Sequence, residues 1–396
     1  MVAIVTDVHY RMSLALIRDL SQAGVSVVTC EREEHRSNAA SPALGALSRY
    51  TSRHAWLPDA GYLDALYALC QEIGEVYHCR PALLPVGAKT LSALAVDRER
   101  FDGVCGLLIP TGEQLELMNS KERTAALAET LRIPTPESFR RREGESMDAF
   151  VGRLPLPCVV KPVCGEKLGL AAAERYVIGR TPEQALDCFH RFAELAGEDP
   201  VVQSYLPGGG LGCSVLARDG RVLASICHRR LREYPVSGGP SSCCTCVERS
   251  DLAGYAAKMV EATGYTGFAM FEFKEDGRGA PRLLEVNPRI WGTFPLTRVS
   301  RSGIPLLWCA LAWNAGNPSA PAALPPVSKP LPKKMIFAAS DLMAAVGYAR
   351  QGRPGQLLRA LGDLLNPAVR DGVFEWRDIG PALAYFRALL KKEKHT

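Results

Sequence analysis

Residues 271–289 decide the fold, and they read FEFKEDGRGAPRLLEVNPR. Two apolar segments, each carrying an acid, flank the turn dipeptide Asp276-Gly277, and this pattern predicts a β-hairpin. Residues two apart on a strand point to the same face, so Glu285 and Asn287 project together. Because the hairpin returns the second strand beside the first, we expect Glu272 to lie across from this pair.

Two carboxylates and an amide oxygen at one place form a hard-oxygen site suited to Mg²⁺ that holds nucleotide phosphates. Without a cation the neighbouring carboxylates of Glu272 and Glu285 would repel each other. The alternative is a solvent-facing sheet surface with polar residues at alternate positions. Arg289 follows Asn287 by two residues, where it can hold a phosphoryl group or an oxyanion. Its alternative role is an ion pair with a surface acid.

Three lysines upstream are candidate phosphate contacts. Lys161 ends the apolar strand 158–161, where a buried ammonium is costly unless it meets an anion or extends to water. Lys121 opens a helix that we predict over 121–130. Lys167 lies in a loop of mostly small residues, 164–169, whose backbone N–H groups can cover phosphates.

The apolar segment that starts at Val201 stops at Pro207-Gly208. An extended segment with free backbone edges can hydrogen-bond an adenine through its main chain, although an ordinary core strand has the same pattern. The adenine contacts predicted in this way are Gln203, Ser204, Tyr205 and Leu206.

The substrate candidates lie between the two hairpins of the second half of the chain. Strand alternation sends Arg230 and Arg232 to one face, where they can bind a substrate carboxylate, or else form salt bridges at a strand edge. The following loop, 238–242, contains Ser241 and is flexible enough to close over a substrate.

Composition bounds the class of protein. The chain has 396 residues, which suggests two or three domains, and a net charge of +5, too dilute to indicate nucleic acid. Its 13 cysteines are scattered and odd in number, which favours a reduced cytoplasmic chain over a disulfide scaffold. The longest apolar run, 304–313, is too short to span a bilayer. We interpret Cys243, Cys244 and Cys246 as small apolar fillers, since they lack zinc-ligand spacing.

The opening of the chain alternates strands and helices at the spacing of βαβ units, which predicts a doubly wound parallel sheet. Its expected strands include 2–5, 25–30, 82–85 and 107–110. The first turn, 6–11, has no glycine, which excludes the usual dinucleotide site. Its residues His9, Tyr10 and Arg11 either face a ligand at the carboxyl edge of the sheet or form a solvated loop.

From about residue 157 the pattern changes to strands and hairpins, with a second tight turn at Asp219-Gly220. This middle region is expected to be α+β and antiparallel. A connector rich in proline and alanine, 317–332, leads to a short C-terminal segment with a basic tail.

Five motifs in order resemble the ATP-grasp superfamily: Lys121, VVKP around Lys161, VVQSYLPG from Val201, the acid of FEF, and EVNPR. The segment that begins at Leu283 is most similar to the carboxylate–amine ligase branch, which includes D-aspartate-ligase-like proteins and amino-acid ligases. The resemblance implies a preATP-grasp domain over 1–115, two ATP-grasp subdomains over 116–205 and 206–316, and a linker with a small C-terminal segment over 317–396.

The resemblance also implies the cofactors and the chemistry. The cofactors are ATP and Mg²⁺, expected as two ions that Mn²⁺ can replace, and the roles follow the residues above, with Arg289 as the catalytic residue. The expected reaction is the ATP-dependent formation of an amide or peptide bond through an acyl phosphate. The protein is expected to be cytoplasmic, to act on small molecules, to bind neither nucleic acid nor membrane, and to be able to form a homodimer. The alternatives are a carboxylase or carbamoyl-phosphate-type enzyme that activates bicarbonate, and a non-catalytic nucleotide-binding regulator.

Overall fold

The computed structural model of the protein describes residues 1–162, 168, 170, 174, 176–236 and 238–393. The described residues contain three β-sheets and three apolar cores. The largest core joins the first sheet to the large sheet, and the other two fill the space beside the large and the small sheet.

The first sheet is parallel and has the strand order β3-β2-β1-β4, so the order reverses at β1 as in a doubly wound fold. Its strands are β1 (Val2–Val5), β2 (Ser26–Arg32), β3 (Arg53–Leu57) and β4 (Ala82–Leu84). The helices of this part are α1 (Met12–Gln22), α2 (Tyr62–Tyr77), α3 (Ala88–Val96) and α4 (Arg98–Phe101), with 3₁₀ turns at Glu33–His35 and Leu44–Leu47.

The prediction of a strand at 107–110 is wrong. Only Gly106 bridges to Ala82, and the next residues are buried without joining the sheet. Their carbonyl groups accept hydrogen bonds from side chains instead: the indole of Trp308 donates to the Leu108 carbonyl at 3.0 Å. An apolar run can therefore be buried as an irregular segment when side chains satisfy its backbone.

Two helices follow, α5 (Gly112–Asn119) and α6 (Lys121–Thr130), and the second has the predicted bounds. The Ser120 hydroxyl accepts from the Arg123 N–H at 3.2 Å and caps α6. Met118 and Ala128 from these helices belong to the same core as Phe271 and Phe273 of the predicted hairpin. This packing holds the start of α6 beside the hairpin.

The small sheet is antiparallel, in the order β5-β8-β6-β7, and two helices cover its apolar face. Phe150, Phe189 and Phe192 of these helices are buried in its core. The elements are β5 (Ser138–Phe139), α7 (Met147–Gly152), β6 (Cys158–Lys161), β7 (Val177–Gly179), α8 (Pro182–Ala196) and β8 (Val201–Ser204).

The large sheet has seven strands in the order β13-β12-β9-β10-β11-β14-β15. The predicted turn at Asp219-Gly220 joins β9 to β10, and both residues have positive φ, 50° and 76°, as this tight hairpin turn requires. Five of its strands are β9 (Gly210–Arg218), β10 (Arg221–Glu233), β11 (Ser241–Cys246), β12 (Gly267–Glu275) and β13 (Pro281–Asn287), and the helix α9 (Ser250–Ala262) connects β11 to β12.

The C-terminal segment completes this sheet. After the connector, two short strands extend it beyond β11, the first antiparallel to β11 and the second parallel to the first. The remaining elements are α10 (Leu296–Val299), α11 (Ile304–Gly316), β14 (Lys334–Ile336), α12 (Ala338–Arg350), α13 (Gly355–Leu365), β15 (Arg370–Asp371) and α14 (Ile379–Glu393).

The segment also contacts the helix α1 beside the first sheet, where the buried guanidinium of Arg18 donates to Asp378 at 2.9 Å. Across the described residues, every helix is too short or too polar to cross a membrane.

Candidate active site

The hairpin β12–β13 brings the predicted acids together. Glu272 pairs directly with Glu285 in the antiparallel register, as the sequence predicts. The Asn287 amide nitrogen donates to both carboxylates, at 3.4 Å to Glu272 and 3.3 Å to Glu285. The loop between the strands is fixed by Asp276, whose carboxylate accepts two backbone N–H groups at 2.9 Å each. The three oxygen-bearing side chains thus form one cluster on the sheet.

Two cations flank this cluster. Arg230 on β10 lies 2.8 Å from Glu272, and Lys121 at the start of α6 lies 3.0 Å from Glu285. Burial raises the pKa of Glu272, and the nearby Arg230 only partly offsets this effect. Burial also acts to raise the pKa of Glu285, but Lys121 and the Asn287 amide outweigh it, and the pKa lies below its usual value. The two neighbouring acids therefore differ in their affinity for a proton.

Lys161 approaches the same place from the small sheet. It is the last residue of β6, and its ammonium donates to the Gln203 side-chain oxygen at 2.7 Å. The Gln203 amide in turn donates to the Ser138 hydroxyl at 3.0 Å. Burial, with Lys121 nearby, lowers the pKa of Lys161 to about 8, while Glu285 acts in the opposite direction. A buried ammonium of this kind gains most from an anionic ligand.

The predicted adenine segment begins in β8 and continues beyond its end. The Ser204 backbone N–H donates to the Glu137 carbonyl at 2.9 Å, and its hydroxyl accepts from the Glu137 N–H at 3.1 Å. Leu206 is buried, and the Tyr205 ring lies 5.3 Å from the Lys274 ammonium. The structure thus shows Ser204 engaged within the small sheet, while Tyr205 faces the large sheet.

Close backbone packing joins this segment to the large sheet. The Gly208 N–H donates to the Glu275 carbonyl at 3.0 Å, and the Glu275 N–H donates to the Gly209 carbonyl at 3.1 Å. A Cβ atom at Gly208 would lie 2.5 Å from the Glu275 Cβ, so only glycine permits this approach.

Arg289 lies beside the acids. Its guanidinium donates to the Asn287 side-chain oxygen at 3.1 Å and to the Ile290 carbonyl at 3.2 Å. Burial raises the pKa of the Tyr10 phenol, with Asp7 acting in the same direction and Arg289 against it. Tyr10, in the loop after β1, is therefore close enough to Arg289 for an electrostatic interaction.

Arg232 does not accompany Arg230, which corrects the prediction from alternation. The register of β10 against β11 shifts between these two residues, so simple alternation fails. Arg232 is buried and donates to both oxygens of Asp341, at 2.8 and 2.7 Å, and to Asp363 at 2.7 Å. Its charge is thus satisfied inside the fold.

Ser241 is also turned inward. Its hydroxyl is buried and donates to the Cys243 carbonyl at 2.9 Å. Burial raises the pKa of the Cys243, Cys244 and Cys246 thiols, in keeping with their interpretation as packing residues.

Comparisons with known proteins address the family. Residues 197–331, about a third of the chain, match the sequence profile of a family described as ATP-grasp in the biosynthetic pathway with Ter operon. A comparison with curated protein sequences gave no match. Solved structures match over most of the chain.

One similar structure is the biotin carboxylase domain of 2-oxoglutarate carboxylase from Hydrogenobacter thermophilus, solved as a dimer in complex with MgADP, ADP and bicarbonate. It is 14% identical to this chain with a TM-score of 0.56, and the match covers 78% of this chain and 69% of that domain. Phosphoribosylglycinamide synthetase from Anaerococcus prevotii is 14% identical with a TM-score of 0.57, over 84% of this chain and 79% of its own. This chain has the ATP-grasp fold. The L-amino acid ligase from Bacillus licheniformis also matches, at 18% identity and a TM-score of 0.50, over 79% of this chain and 73% of its own.

Between the small and the large sheet, Lys161 is near enough to Lys121 and Glu285 to interact with their charges, and we refer to this region as the ATP-grasp cleft. The sequence-based reasoning missed two charged residues of this cleft. Lys274 lies two positions after Glu272 on β12, and alternation could have found it. Glu233 lies 3.6 Å from Arg230, and its negative charge opposes the fall that burial causes in the pKa of Lys274. The predicted phosphate contact Lys167 lies outside the described residues.

Proposed function

We propose that this ATP-grasp protein is an ATP-dependent carboxylate–amine ligase, which forms an amide or peptide bond and releases ADP and phosphate. The observation that carries the proposal is the cluster of Glu272, Glu285 and Asn287 with Lys121 and Arg289 at its edges. Acids that can hold Mg²⁺ beside an arginine suit phosphoryl transfer, in which charge at the transferred group must be neutralised. Two of the similar structures, the L-amino acid ligase and phosphoribosylglycinamide synthetase, have names that indicate this class.

The cluster fits Mg²⁺. Its carboxylate oxygens are ligands that this cation prefers, and the charge of two adjacent carboxylates matches a dication. The Asn287 amide now turns its nitrogen to the carboxylates and its oxygen to Arg289, so it would have to rotate to offer that oxygen to the metal. Glu272, Glu285 and Asn287 would hold two Mg²⁺ ions, or Mn²⁺ in their place. Bound there, Mg²⁺ would neutralise phosphate charge and orient the terminal phosphate.

The lysines complete the nucleotide site. In the proposal Lys161 and Lys121 release their present partners, Gln203 and Glu285, and contact the phosphates of ATP. The main chain at Tyr205 and Leu206 contacts the adenine, and Lys167 also contacts phosphate. Because little covalent chemistry falls to the protein in phosphoryl transfer, these residues act through position and charge.

In the first step, a carboxylate oxygen of the substrate bonds to the γ-phosphorus as the bond to the bridging oxygen of ADP breaks. Arg289 stabilises the charge of the transferred phosphoryl group. In the second step, the nitrogen of an amine bonds to the acyl carbon, phosphate leaves with the electron pair, and the amine loses a proton. Arg230, beside Glu272, is the proposed contact for the substrate carboxylate, whereas Arg232 and Ser241 bond to partners inside the fold.

The proposal extends to the surroundings of the enzyme. Substrates are small molecules, and the dependence on ATP places the reaction in the cytoplasm. We also propose a homodimer, because the similar biotin carboxylase domain is a dimer.

The experiment measures phosphate release from ATP and Mg²⁺ with pools of amino acids, and separately with bicarbonate. Product masses identify any amide, and added hydroxylamine traps an acyl phosphate as a hydroxamate. Release that needs both a carboxylate and an amine supports the ligase. Release that needs bicarbonate replaces the proposal by a carboxylase-type reaction, and no release with any pool replaces it by a nucleotide-binding regulator.

A variant tests the site. Glu285→Gln removes one acid of the cluster, and we expect turnover to fall by about 10²–10³-fold, as for other electrostatic groups in active sites. Glu248→Gln is the matched control, because Glu248 is 76% exposed and pairs only with Lys329 among the described residues. Full turnover in Glu285→Gln would contradict the assignment of the cluster.

A further inference from the structure

A second group of metal-ligating side chains lies outside the ATP-grasp cleft. His9 follows β1, Glu31 lies near the end of β2, and His35 ends the 3₁₀ turn after β2. Because β1 and β2 are parallel neighbours, the group sits at the carboxyl edge of the first sheet, where α/β folds bind ligands. One donor atom from each of the three side chains lies within 4.8 Å of the others.

The hydrogen bonds fix which ring nitrogen carries the proton. His9 Nδ1 lies 2.8 Å from a Glu31 carboxylate oxygen, and His35 Nδ1 lies 3.2 Å from the Ser41 carbonyl oxygen. Both partners only accept, so each Nδ1 is the donor and each neutral ring carries its lone pair on Nε2. A carboxylate or carbonyl behind Nδ1 is the usual support of a metal-binding histidine.

The two rings are adjacent and accessible. They stack with their centroids 3.8 Å apart and 12° between their planes, and their side chains are 13% and 14% exposed. Glu34 supplies a further oxygen, 3.8 Å from His35 Nε2 and on an exposed side chain.

We propose that His9 and His35 bind a transition-metal dication of the Zn²⁺ type through their Nε2 atoms, with Glu34 as an additional ligand and Glu31 holding the His9 ring in place. Imidazole nitrogen favours Zn²⁺ over Mg²⁺, which separates this site from the oxygen-only cluster of the cleft. The Nε2 lone pairs of the two stacked rings lie in nearly parallel planes and cannot meet at one ion, so binding requires one ring to tilt.

The test uses the full chain after treatment with a chelator. Titration with Zn²⁺ should show one equivalent bound, and Co²⁺ should give the visible absorption bands of a site with nitrogen ligands. We expect His35→Ala to weaken Zn²⁺ binding by at least about 100-fold, and Glu31→Gln by about 10–100-fold, the range for groups that orient a ligand. His190→Ala is the control, because His190 is exposed on α8, and it should bind Zn²⁺ normally.

Two further results decide the outcome. Glu285→Gln should keep the Zn²⁺ equivalent, because the cleft is a different site, and this readout needs no turnover and is independent of the proposed ligase reaction. Absence of a bound equivalent in the parent protein, binding unchanged in a folded His35→Ala, or loss of the equivalent in Glu285→Gln would each overturn the proposal. Circular dichroism of each variant establishes that it is folded.

Discussion

The correction at Arg232 leads to a prediction about stability. Arg232→Met removes three charge-assisted hydrogen bonds. Asp341, whose side chain is 3% exposed, then keeps the hydrogen bond from the Ser242 hydroxyl at 2.8 Å but has no cation among the described residues. Asp363 keeps Lys334 at 2.7 Å, so its charge stays compensated. The main cost is one buried carboxylate without a counter-charge, for which we expect a loss of about 3–5 kcal/mol in the free energy of unfolding.

The assay is urea unfolding followed by circular dichroism, together with the KM values of the substrates. Arg229→Met is the matched control, because Arg229 lies on the same strand and bonds both oxygens of Glu275 at 2.7 Å, but its side chain is 35% exposed. Glu275 also keeps Arg249, so this variant should lose no more than about 1 kcal/mol.

A double variant isolates the cause. Replacing both partners, Arg232→Met with Asp341→Leu, removes the uncompensated charge and should recover most of the lost stability. If Arg232→Met instead kept its stability and raised a substrate KM by tenfold or more, the reasoning would be refuted, and Arg232 would have the substrate role that strand alternation predicts.

Three further predictions concern titration and reactivity. Because the ammonium of Lys161 is charged below its pKa of about 8, nucleotide affinity measured by calorimetry should fall as pH rises through 8, and Lys161→Met should remove this dependence. Burial lowers the pKa of His228 to about 3, so between pH 6.5 and 3 the unfolded chain binds a proton that the folded chain does not. The free energy of unfolding should therefore decline as pH falls from about 6.5 toward 3, by up to about 1.4 kcal/mol per pH unit. Urea titrations of His228→Gln should show a shallower decline. Buried thiols with raised pKa react slowly, so peptide mapping should find Cys243, Cys244 and Cys246 alkylated only after denaturation, and rapid labelling of the folded protein would contradict their burial.

The sequence predicts best where structure is local. The β12–β13 hairpin and its facing acids follow from a turn dipeptide and strand alternation, which act over fewer than 20 residues. The start of α6 follows in the same way from a serine cap. The strand that ends at Lys161 is also found, because the apolar run and the proline after it are local signals.

Structure that depends on distant partners was not predictable in this way. Arg232 is held by Asp341 and Asp363, more than 100 residues further along the chain, and the register shift beside it leaves no mark on the apolar pattern. The strands β14 and β15 have three and two residues, too few to show a period of two. The sequence therefore predicts only a small C-terminal segment after a linker, whereas in the structure this segment adds two strands to the large sheet.

The contact between Arg18 and Asp378 has a consequence for biosynthesis. The Arg18 guanidinium is 3% exposed, and its carboxylate partners, Asp378 at 2.9 Å and Glu375 at 3.5 Å, are translated some 360 residues after it. While the ribosome is still making the middle of the chain, the emerging N-terminal sheet holds an arginine that has no counter-ion and resists burial. We therefore expect this part of the chain to close only after Asp378 has been synthesised, so a translation product truncated before Asp378 should carry an incomplete N-terminal core that proteases and chaperones can reach.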